Sequence, residues 1–284
     1  MEVKLGFIGG SGLYEIPGAK LVKKMLVKTS YGKPSDPISV IELAGVKTFF
    51  LSRHGKGHRL APSEINYCAN IAALKKVGVT HIISVSAVGS LKEEIVPSDL
   101  VLPDQYFDMT KGIRRATFYN EGMVGHTSMG HPVCAVLKNY LKNILIQNKF
   151  KHHVDGTYVC IEGPRFSTKA ESLFYRSLGA SVIGMTNIPE AFLARELGMS
   201  YATLALATDY DCWKEGEEVD VSTVLKTIHE NITKAQKVVE DAIKNISKLK
   251  LNTLVQNSFQ YAIQTKKEAL TPSAKKRLKE LGLR

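Results

Sequence analysis

The chain has 284 residues, of which 44% are hydrophobic and 23% charged, and this composition is ordinary for one large α/β domain or two small ones. No apolar run reaches the roughly 18–20 residues that a membrane-spanning helix needs, and the first residues do not form a signal peptide. The four cysteines are far apart and form no CxxC pair, which argues against a zinc site and a disulfide scaffold. We therefore expect a cytoplasmic enzyme with reduced thiols and no membrane partner.

The net charge of +11 leaves nucleic-acid binding as one interpretation. The segment from Lys266 to Arg284 holds seven basic and two acidic residues, so about half of the excess lies in the tail. No aromatic residues alternate with basic ones in the way that a single-strand binding surface requires. An anionic small substrate is favoured over nucleic acid.

Strands and helices are predicted to alternate in the first half of the chain. A helix is expected to begin after Ser63, a good N-cap, and to end at Gly78. Short apolar runs that are bounded by glycine or proline predict strands. These strands cover residues 3–8, 38–43, 46–52, 79–87 and 99–103.

The same alternation continues to the end of the chain. The predicted strands are 157–163, 181–185 and 201–208, and the predicted helices are 168–180, 189–198 and 221–249. A last helix over 270–284 is capped by Thr271, starts with Pro272 and ends at Gly282. The pattern predicts an α/β fold with a parallel or mixed central sheet.

The first motif with chemical potential is GFIGGSGL, in which glycines expose backbone N–H groups and Ser11 adds a hydroxyl. Such a turn suits a phosphate oxyanion. A dinucleotide fingerprint needs a third glycine and a long helix, whereas Leu13, Tyr14 and Glu15 follow here and Pro17 disfavours the helix. A glycine turn without a ligand stays open as the alternative.

Two further donor-rich loops follow predicted strands. In SRHGKGHR, Arg53 offers a planar fork for an oxyanion and His54 a further donor, and a solvated basic loop is the alternative. In SVSAVGSL, Ser86 and the amide of Ala87 lie at a strand end. Because ligands gather at the carboxyl ends of strands, the three loops predict one oxyanion pocket. None contains a G-x-S-x-G nucleophile, so the bound anion itself is the expected nucleophile.

Three later motifs complete the pocket. IEGPRFST offers Phe166 and Ser167, and IGMTNIPE offers Met185 and Thr186. Each of these is ordinary core when taken singly, but together an aromatic face, a thioether and hydroxyls suit a base and a ribose. LATDYDCW places two carboxylates one residue apart, and a polar loop is the alternative to a pair that binds hydrogen-bond donors.

The motifs GGSGL, SRHGKGH, SAVGSL, IEGPRFST, GMTNIPEA and ATDYDCW occur in this order. In this the chain resembles the trimeric purine nucleoside phosphorylase family, and within it the 5′-methylthioadenosine phosphorylase branch. The resemblance implies a phosphorylase/hydrolase-like α/β fold, in which a central mixed sheet forms a distorted barrel flanked by helices. It also implies phosphate-dependent cleavage of the N-glycosidic bond of a nucleoside, without an organic cofactor or metal.

The resemblance also assigns roles to residues. The residues implied to bind phosphate are Ser11, Arg53, His54, Ser86, Ala87 and Thr186. Met185 is implied to contact the ribose, and Phe166 and Ser167 the purine. The catalytic pair is Asp209, implied to protonate the leaving base, and Asp211, implied to accept from its exocyclic amine; because coupled carboxylates titrate together, this division stays open. Their carboxylates favour 6-aminopurines over 6-oxopurines.

For the 5′ group of the nucleoside, the resemblance implies a pocket formed by His126, Val221 and Val224, with Ile263 of a neighbouring subunit as a candidate. The implied assembly is a homotrimer, with a hexamer as the alternative. Residues 1–265 are expected to form the phosphorylase domain and 266–284 a basic helical extension. A broader purine nucleoside phosphorylase and a non-catalytic nucleoside-binding protein remain alternatives.

Overall fold

The computed structural model describes residues 2–216, 221–259 and 261–283, without the side chains of Ser11, Tyr14, Thr253, Gln256 and residues 221–226. The described strands form one mixed sheet of eleven. In chain order they are β1 (Leu5–Gly9), β2 (Lys20–Met25), β3 (Ile38–Leu43), β4 (Val46–Ser52), β5 (His81–Ser90), β6 (Leu100–Leu102), β7 (Gln105–Met109), β8 (His152–Val154), β9 (Thr157–Ile161), β10 (Val182–Gly184) and β11 (Ser200–Asp209).

Helices cover both faces of this sheet. They are α1 (Tyr67–Lys76), α2 (Ala135–Gln147), α3 (Lys169–Ser177), α4 (Asn187–Glu196), α5 (Val221–Lys244), α6 (Thr253–Gln256) and α7 (Pro272–Leu281), with short 3₁₀ helices at Ser11–Tyr14, Pro62–Glu64 and Ile246–Lys248. Within the described ranges, no helix is both long enough and apolar enough to cross a membrane.

Strand β5 is the branch point of the sheet. On one side it pairs in parallel with β1, and beyond that in antiparallel fashion with β10. On the other side it pairs in parallel with β11 over almost its whole length. The sheet therefore divides at β5 into an N-terminal part, ordered β2-β3-β4-β1, and a second part that continues through β10, β9 and β7.

The second part closes into a ring, which is the distorted barrel. β6 pairs with β11, and only Pro103 and Asp104 separate β6 from β7, which pairs with β9. β8 and β9 bend in the same way beside them, and the Gly156 N–H donates to the Asp104 carboxylate at 3.2 Å. The ring thus runs through β5, β11, β6–β7, β9 and β10, and the predicted α/β fold with a central mixed sheet is confirmed.

Three apolar cores hold the helices to the sheet. One is buried between the sheet and helices α1, α4 and α7, and a second lies on the opposite face under α2 and α5. A third, smaller core packs α3 against β9 and β10. Helix α7 belongs to the first core because Ala274, Leu278 and Leu281 are buried. Its Arg277 is also buried, and donates to Glu121 and to the carbonyl of Asn120. The basic C-terminal segment therefore packs one face onto the body of the protein.

The predicted elements match the structure where burial gives a clear pattern. The bounds of β3 and β4 agree to the residue, and α7 has its Thr271 cap, its Pro272 start and its Gly282 end. The predicted start of the first helix after Ser63 is wrong. Its N-cap is Asn66, whose side chain accepts from the Ala69 N–H at 3.0 Å, and Ser63 lies in the preceding 3₁₀ turn.

The sequence prediction missed β2, β7, α2, β8 and α6. Strand β2 is the exposed edge of the sheet, so neither of its faces carries the alternating apolar pattern of a half-buried strand. Helix α2 does carry a helical stripe, with Leu137, Leu141 and Ile144 buried, but it lacks a capping residue at Cys134. The sequence therefore gives no clear signal for where this helix begins.

Candidate functional site

A cavity of about 530 Å³ opens where β1, β4, β5, β9, β10 and β11 end, which is the usual place for a ligand in an α/β sheet. The loops that leave these strands supply most of its wall. Ten of the residues that the sequence predicted for the site line it, namely Arg53, His54, Ser86, Ala87, Phe166, Ser167, Met185, Thr186, Asp209 and Asp211.

Three predicted residues have side chains outside the described residues. Ser11 begins the short 3₁₀ helix after β1, and its neighbours Gly10 and Gly12 line the cavity. Val221 and Val224 lie in the first turn of α5. Further along this helix, the side chains that line the cavity are those of Ile228, Ile232 and Ala235.

His126 is not among the residues lining the cavity. Its backbone N–H donates to the Ala262 carbonyl at 2.9 Å, and the adjacent Gly125 forms an antiparallel β-bridge with Ile263. We call the paired segments 124–126 and 262–265 the C-terminal ribbon. Two of the four residues that the resemblance associated with a 5′ pocket, His126 and Ile263, are thus held together, but not at the cavity of their own chain.

The most buried charge at the cavity is Arg53, which is 2% exposed. Its Nε and Nη2 donate to the two carboxylate oxygens of Glu190 at 2.8 and 2.9 Å, and Nη2 also donates to the Ser84 hydroxyl at 2.6 Å. Burial alone would lower the pKa of Arg53, but the Glu190 carboxylate keeps it above the ordinary value. The arginine is therefore a cation whose charge is already balanced.

One donor of Arg53 remains for a ligand. Among the described residues, Nη1 has a single partner, the Val85 carbonyl at 3.1 Å, whereas a guanidinium Nη carries two N–H groups. Since Arg53 lines the cavity, its second Nη1 N–H is available there. Arg53 accordingly supplies a directed donor rather than a net positive charge.

Glu190 is a functional residue that sequence reasoning missed. It is fully buried at the start of α4 and also accepts from Ser84 and from the Tyr201 hydroxyl at 2.8 Å. The sequence signal, an acidic residue in the first turn of a helix, has the simpler meaning of a favourable helix-dipole position. Nothing in a single sequence pairs it with an arginine 137 residues away.

His54 has a fixed tautomer. Its Nδ1 lies 2.8 Å from the Leu60 carbonyl oxygen, which can only accept, so Nδ1 carries the proton. Burial lowers the pKa of His54 to about 4, although this hydrogen bond opposes the shift. The ring is therefore neutral at pH 7, with a lone pair on Nε2, and it can donate to an anion only after Nε2 takes up a proton.

Hydroxyl groups form the remaining polar wall at this end. Ser86 lies in the second half of β5, with its Oγ 3.4 Å from the hydroxyl oxygens of both Thr186 and Tyr158. Such hydroxyls rotate to donate toward whatever acceptor is present. With the free Arg53 donor, they make this end of the cavity suitable for an oxyanion.

The two aspartates lie at another part of the wall. The Asp209 carboxylate accepts from the Asp211 N–H at 2.7 Å and from the Thr208 hydroxyl at 2.6 Å. Burial raises the pKa of both carboxyls, while these hydrogen bonds oppose the rise at Asp209. Repulsion by the Asp211 charge contributes least to the raised pKa of Asp209, and burial contributes most. Burial therefore favours the protonated form more than repulsion between the neighbours does.

Gly89 sets the position of both carboxyls. A Cβ at this residue would lie 3.0 Å from Asp209 Oδ1, 3.3 Å from Asp211 Cβ and 3.1 Å from Ile183 Cγ2. The aspartates therefore pack against bare backbone, and a side chain at Gly89 would require them or Ile183 to shift by a few tenths of an ångström.

Between these two ends the wall is apolar. Phe166 is 47% exposed at the mouth, and Met185, Ile183, Val88 and Leu206 line the interior. A flat, apolar molecule that carries acceptors on one edge fits between them. The arrangement can hold an oxyanion at one end and offer a proton from a buried carboxyl at the other. In the described part of the chain, no group of three or more His, Cys, Asp or Glu side chains could hold a metal ion.

Comparison with known proteins supports one family. The model of the phosphorylase superfamily matches residues 4–244. The S-methyl-5′-thioadenosine phosphorylase of Geobacter sulfurreducens is 49% identical over 279 residues, which cover 98% of this chain and 97% of that protein. The protein of the same name from Koribacter versatilis is 46% identical over 280 residues, covering 98% and 95%.

Solved structures agree in fold. A methylthioadenosine phosphorylase from an antarctic soil metagenomic library superposes with a TM-score of 0.93 at 45% identity, and the match covers 99% of both chains. The methylthioadenosine phosphorylase of Schistosoma mansoni in complex with adenine has a TM-score of 0.87 at 35% identity, covering 94% of this chain and 100% of that one.

The Arg53–Glu190 pair predicts a large effect on stability. Glu190→Gln leaves the buried guanidinium without a counter-charge, so we expect the free energy of unfolding to fall by about 3–5 kcal/mol. Urea denaturation followed by circular dichroism measures it. The control is Glu240→Gln, which removes an ion pair with Lys244 on the surface of α5 and should cost less than about 1 kcal/mol. Equal losses of unfolding free energy in the two variants would show that the buried pair contributes no more to stability than the surface pair.

Proposed function

Because the chain belongs to the phosphorylase superfamily, we propose that it is an S-methyl-5′-thioadenosine phosphorylase, a pentosyltransferase. It cleaves the N-glycosidic bond with inorganic phosphate and yields adenine and 5-methylthioribose 1-phosphate. The observation that carries the proposal is the near full-length similarity to proteins of that name. The cavity supports it, because its wall combines oxyanion donors, two buried carboxyls and apolar side chains.

The first half of the reaction takes place at the oxyanion end. Phosphate accepts hydrogen bonds from Arg53, Ser86 and Thr186, and the turn after β1 and the amide of Ala87 complete its site. One phosphate oxygen forms a bond to C1′ of the ribose while the bond from C1′ to N9 breaks. The sugar passes through an oxocarbenium-like state, which the nearby dianion stabilises. Met185 contacts the ribose from the opposite wall.

The second half takes place at the leaving base. The electron pair of the broken bond moves into the purine, whose N7 then takes a proton. Asp209 is the proposed donor, because burial raises its pKa and keeps a proton available. Asp211 accepts from the 6-amino group, and Phe166 packs on the ring with Ser167 beside it. A carboxylate at this edge favours adenine over a 6-oxopurine.

Adenosine is a second candidate substrate. A Schistosoma mansoni relative whose chain is 36% identical is described as an adenosine/methylthioadenosine phosphorylase. An apolar 5′ pocket that accepts a methylthio group rejects a hydroxyl only weakly. The two substrates therefore differ at a single group that the described cavity wall does not select strongly.

The proposed assembly is a homotrimer, with a hexamer of two trimers as the alternative. The C-terminal ribbon supports it, since it presents His126 beside two strongly exposed apolar residues, Val124 and Tyr261. Phe166 exposes a second apolar surface at the cavity mouth. Two different patches on one chain allow a head-to-tail contact, which forms a ring when the rotation between subunits closes. The ribbon of one subunit then completes the 5′ pocket of the next.

We further propose that the protein is cytoplasmic and needs neither an organic cofactor nor a metal. Its co-substrate is inorganic phosphate. All four cysteines are free thiols, which is the usual state in a reducing compartment. The proposed chemistry uses only a bound phosphate and a carboxylic acid. The residues proposed to bind the phosphate and to donate the proton belong to the cavity wall.

The reaction type is tested by the phosphate requirement. We expect purified protein to release adenine from S-methyl-5′-thioadenosine only when phosphate is present, and to do so equally well after treatment with EDTA. Chromatography of the base and of the sugar phosphate measures it. Equal release without phosphate would identify a hydrolase instead, and binding without any release would identify a nucleoside-binding protein.

The proton donor is tested by Asp209→Asn. We expect turnover of S-methyl-5′-thioadenosine to fall about 100-fold or more, because the variant lacks the general acid. The preference for adenosine over inosine should narrow, since N7 and the 6-substituent lie on the same edge of the purine and an amide there tolerates a 6-oxo group. The control is Asp108→Asn, a carboxylate of β7 outside the cavity wall, which should change neither quantity. An unchanged adenosine-to-inosine ratio in Asp209→Asn would contradict the assignment.

The assembly is tested by Val124→Lys. A charge in the C-terminal ribbon should weaken the subunit contact, so the mass in sedimentation equilibrium should fall from three or six times 31.3 kDa toward one chain. Activity should fall with it. Ile146→Lys, at an exposed apolar residue on α2, is the matched control and should leave the mass unchanged. A wild-type protein that sediments as a monomer would refute the trimer.

A further inference from the structure

A second buried arginine, Arg114, lies next to the cavity without lining it. It comes from the irregular segment between β7 and α2, and its side chain is 1% exposed. No motif in the sequence analysis included it. Its acceptors are the carboxylate and carbonyl of Glu162 at 2.6 and 2.7 Å, the carbonyls of Met185 at 2.8 Å, Ile188 at 2.7 Å and Ile161 at 3.3 Å, and the hydroxyl of Tyr67 at 3.2 Å.

All of these acceptors except the Tyr67 hydroxyl of α1 lie at the end of β9 or in the two loops that follow β9 and β10, which form the proposed nucleoside side of the cavity. Met185 follows β10 and lines the cavity, and Ile188 is in the non-helical beginning of α4. Glu162 follows β9 and begins the loop that carries Phe166 to the mouth. One guanidinium therefore bonds to the backbone of both loops.

The two loops also approach each other at a point where a side chain would strain the backbone and displace Met185. Gly163 has a φ of +68°, and a Cβ there would lie 2.5 Å from the Met185 Sδ. The Glu162 carboxylate, besides binding Arg114, accepts from the Lys111 N–H at 2.7 Å. The contact between the two loops is thus close, and Arg114 and Glu162 stabilise it.

Only arginine suits this position. Its five N–H groups point outward in one rigid plane and can reach several carbonyls at once, whereas an ammonium is a point charge on a flexible stem. Carbonyls that lose their donor in a buried place would be left unsatisfied, and the loops would shift to find new partners.

We propose that Arg114, supported by Glu162, is a positioning residue for the nucleoside: it fixes the Met185 loop against the loop of Phe166. The inference rests on the proposed function, because it takes these two residues as the contacts of ribose and base. Arg114 touches no substrate and acts through the backbone of residues that do. Among the proposed phosphate donors only Thr186 lies in the Met185 loop, whereas Arg53 is held by Glu190 and Ser86 lies on β5, so the KM for phosphate should respond less than the KM for the nucleoside.

The experiment is steady-state kinetics of Arg114→Lys with each substrate varied. We expect the KM for S-methyl-5′-thioadenosine to rise about 10-fold and kcat to fall by a similar factor, because a misplaced wall costs the reaction its geometry. The KM for phosphate should stay within about 2-fold. Glu162→Gln, which keeps the arginine and all its carbonyl acceptors, should show the same asymmetry to a smaller degree and serves where Arg114→Lys does not fold.

Arg277→Lys is the matched control. Arg277 is also buried and also binds one carboxylate and backbone carbonyls, but none of its acceptors lines the cavity, whereas Met185 does. Both lysine variants should lower the melting temperature, and only Arg114→Lys should separate the two KM values. Equal rises in both KM values, or the same split in Arg277→Lys, would overturn the positioning role. If the wild type shows no phosphate-dependent turnover, the proposed function has failed, and calorimetric binding of S-methyl-5′-thioadenosine to Arg114→Lys and wild type decides the inference.

Discussion

A guanidinium buried inside a protein needs a carboxylate, and the ion pair of Arg53 with Glu190 answers that need at the centre of this fold. Arg53 follows β4, its donors reach Ser84 and Val85 on β5, and Glu190 on α4 also accepts from Tyr201 of β11. The pair therefore fixes three strands against one helix. The turn into that helix presents Met185 and Thr186 to the cavity. The requirement to neutralise one charge thus determines where two further wall residues lie.

The same requirement shapes the electrostatics of the cavity. Arg53 is balanced, His54 is neutral, and burial raises the pKa of both aspartates. The oxyanion part of the wall therefore carries no net charge at pH 7 and binds through directed donors. In such a space of low dielectric, a bound phosphate and a sugar that becomes cationic interact mainly with each other. The polar groups need only to hold them in place, which is the condition under which preorganised sites stabilise charge most effectively.

Much of this was readable in the sequence, because the pattern of each element is local. Buried strands such as β3 and β4 are short apolar runs between turn residues, and the loops with Arg53, Ser86 and Asp209 follow such strands directly. Ten predicted residues meet at one cavity for that reason. What stayed hidden is long-range. Glu190 and Glu162 pair with arginines that lie 137 and 48 residues away in the sequence. His126 lies in the C-terminal ribbon beside a segment near the end of the chain. Periodicity carries no information about such pairs.

The edge strand β2 has a consequence for how the protein behaves at high concentration. It pairs only with β3 among the described strands, so its outer row of backbone groups is open. An open row of this kind recruits strands of other chains into aggregates. Here Leu21 and Val22 are exposed beside it, but so are Lys20, Lys23 and Lys24. A second copy docking along this edge would bring three ammonium groups against three others, and that repulsion protects the protein in solution.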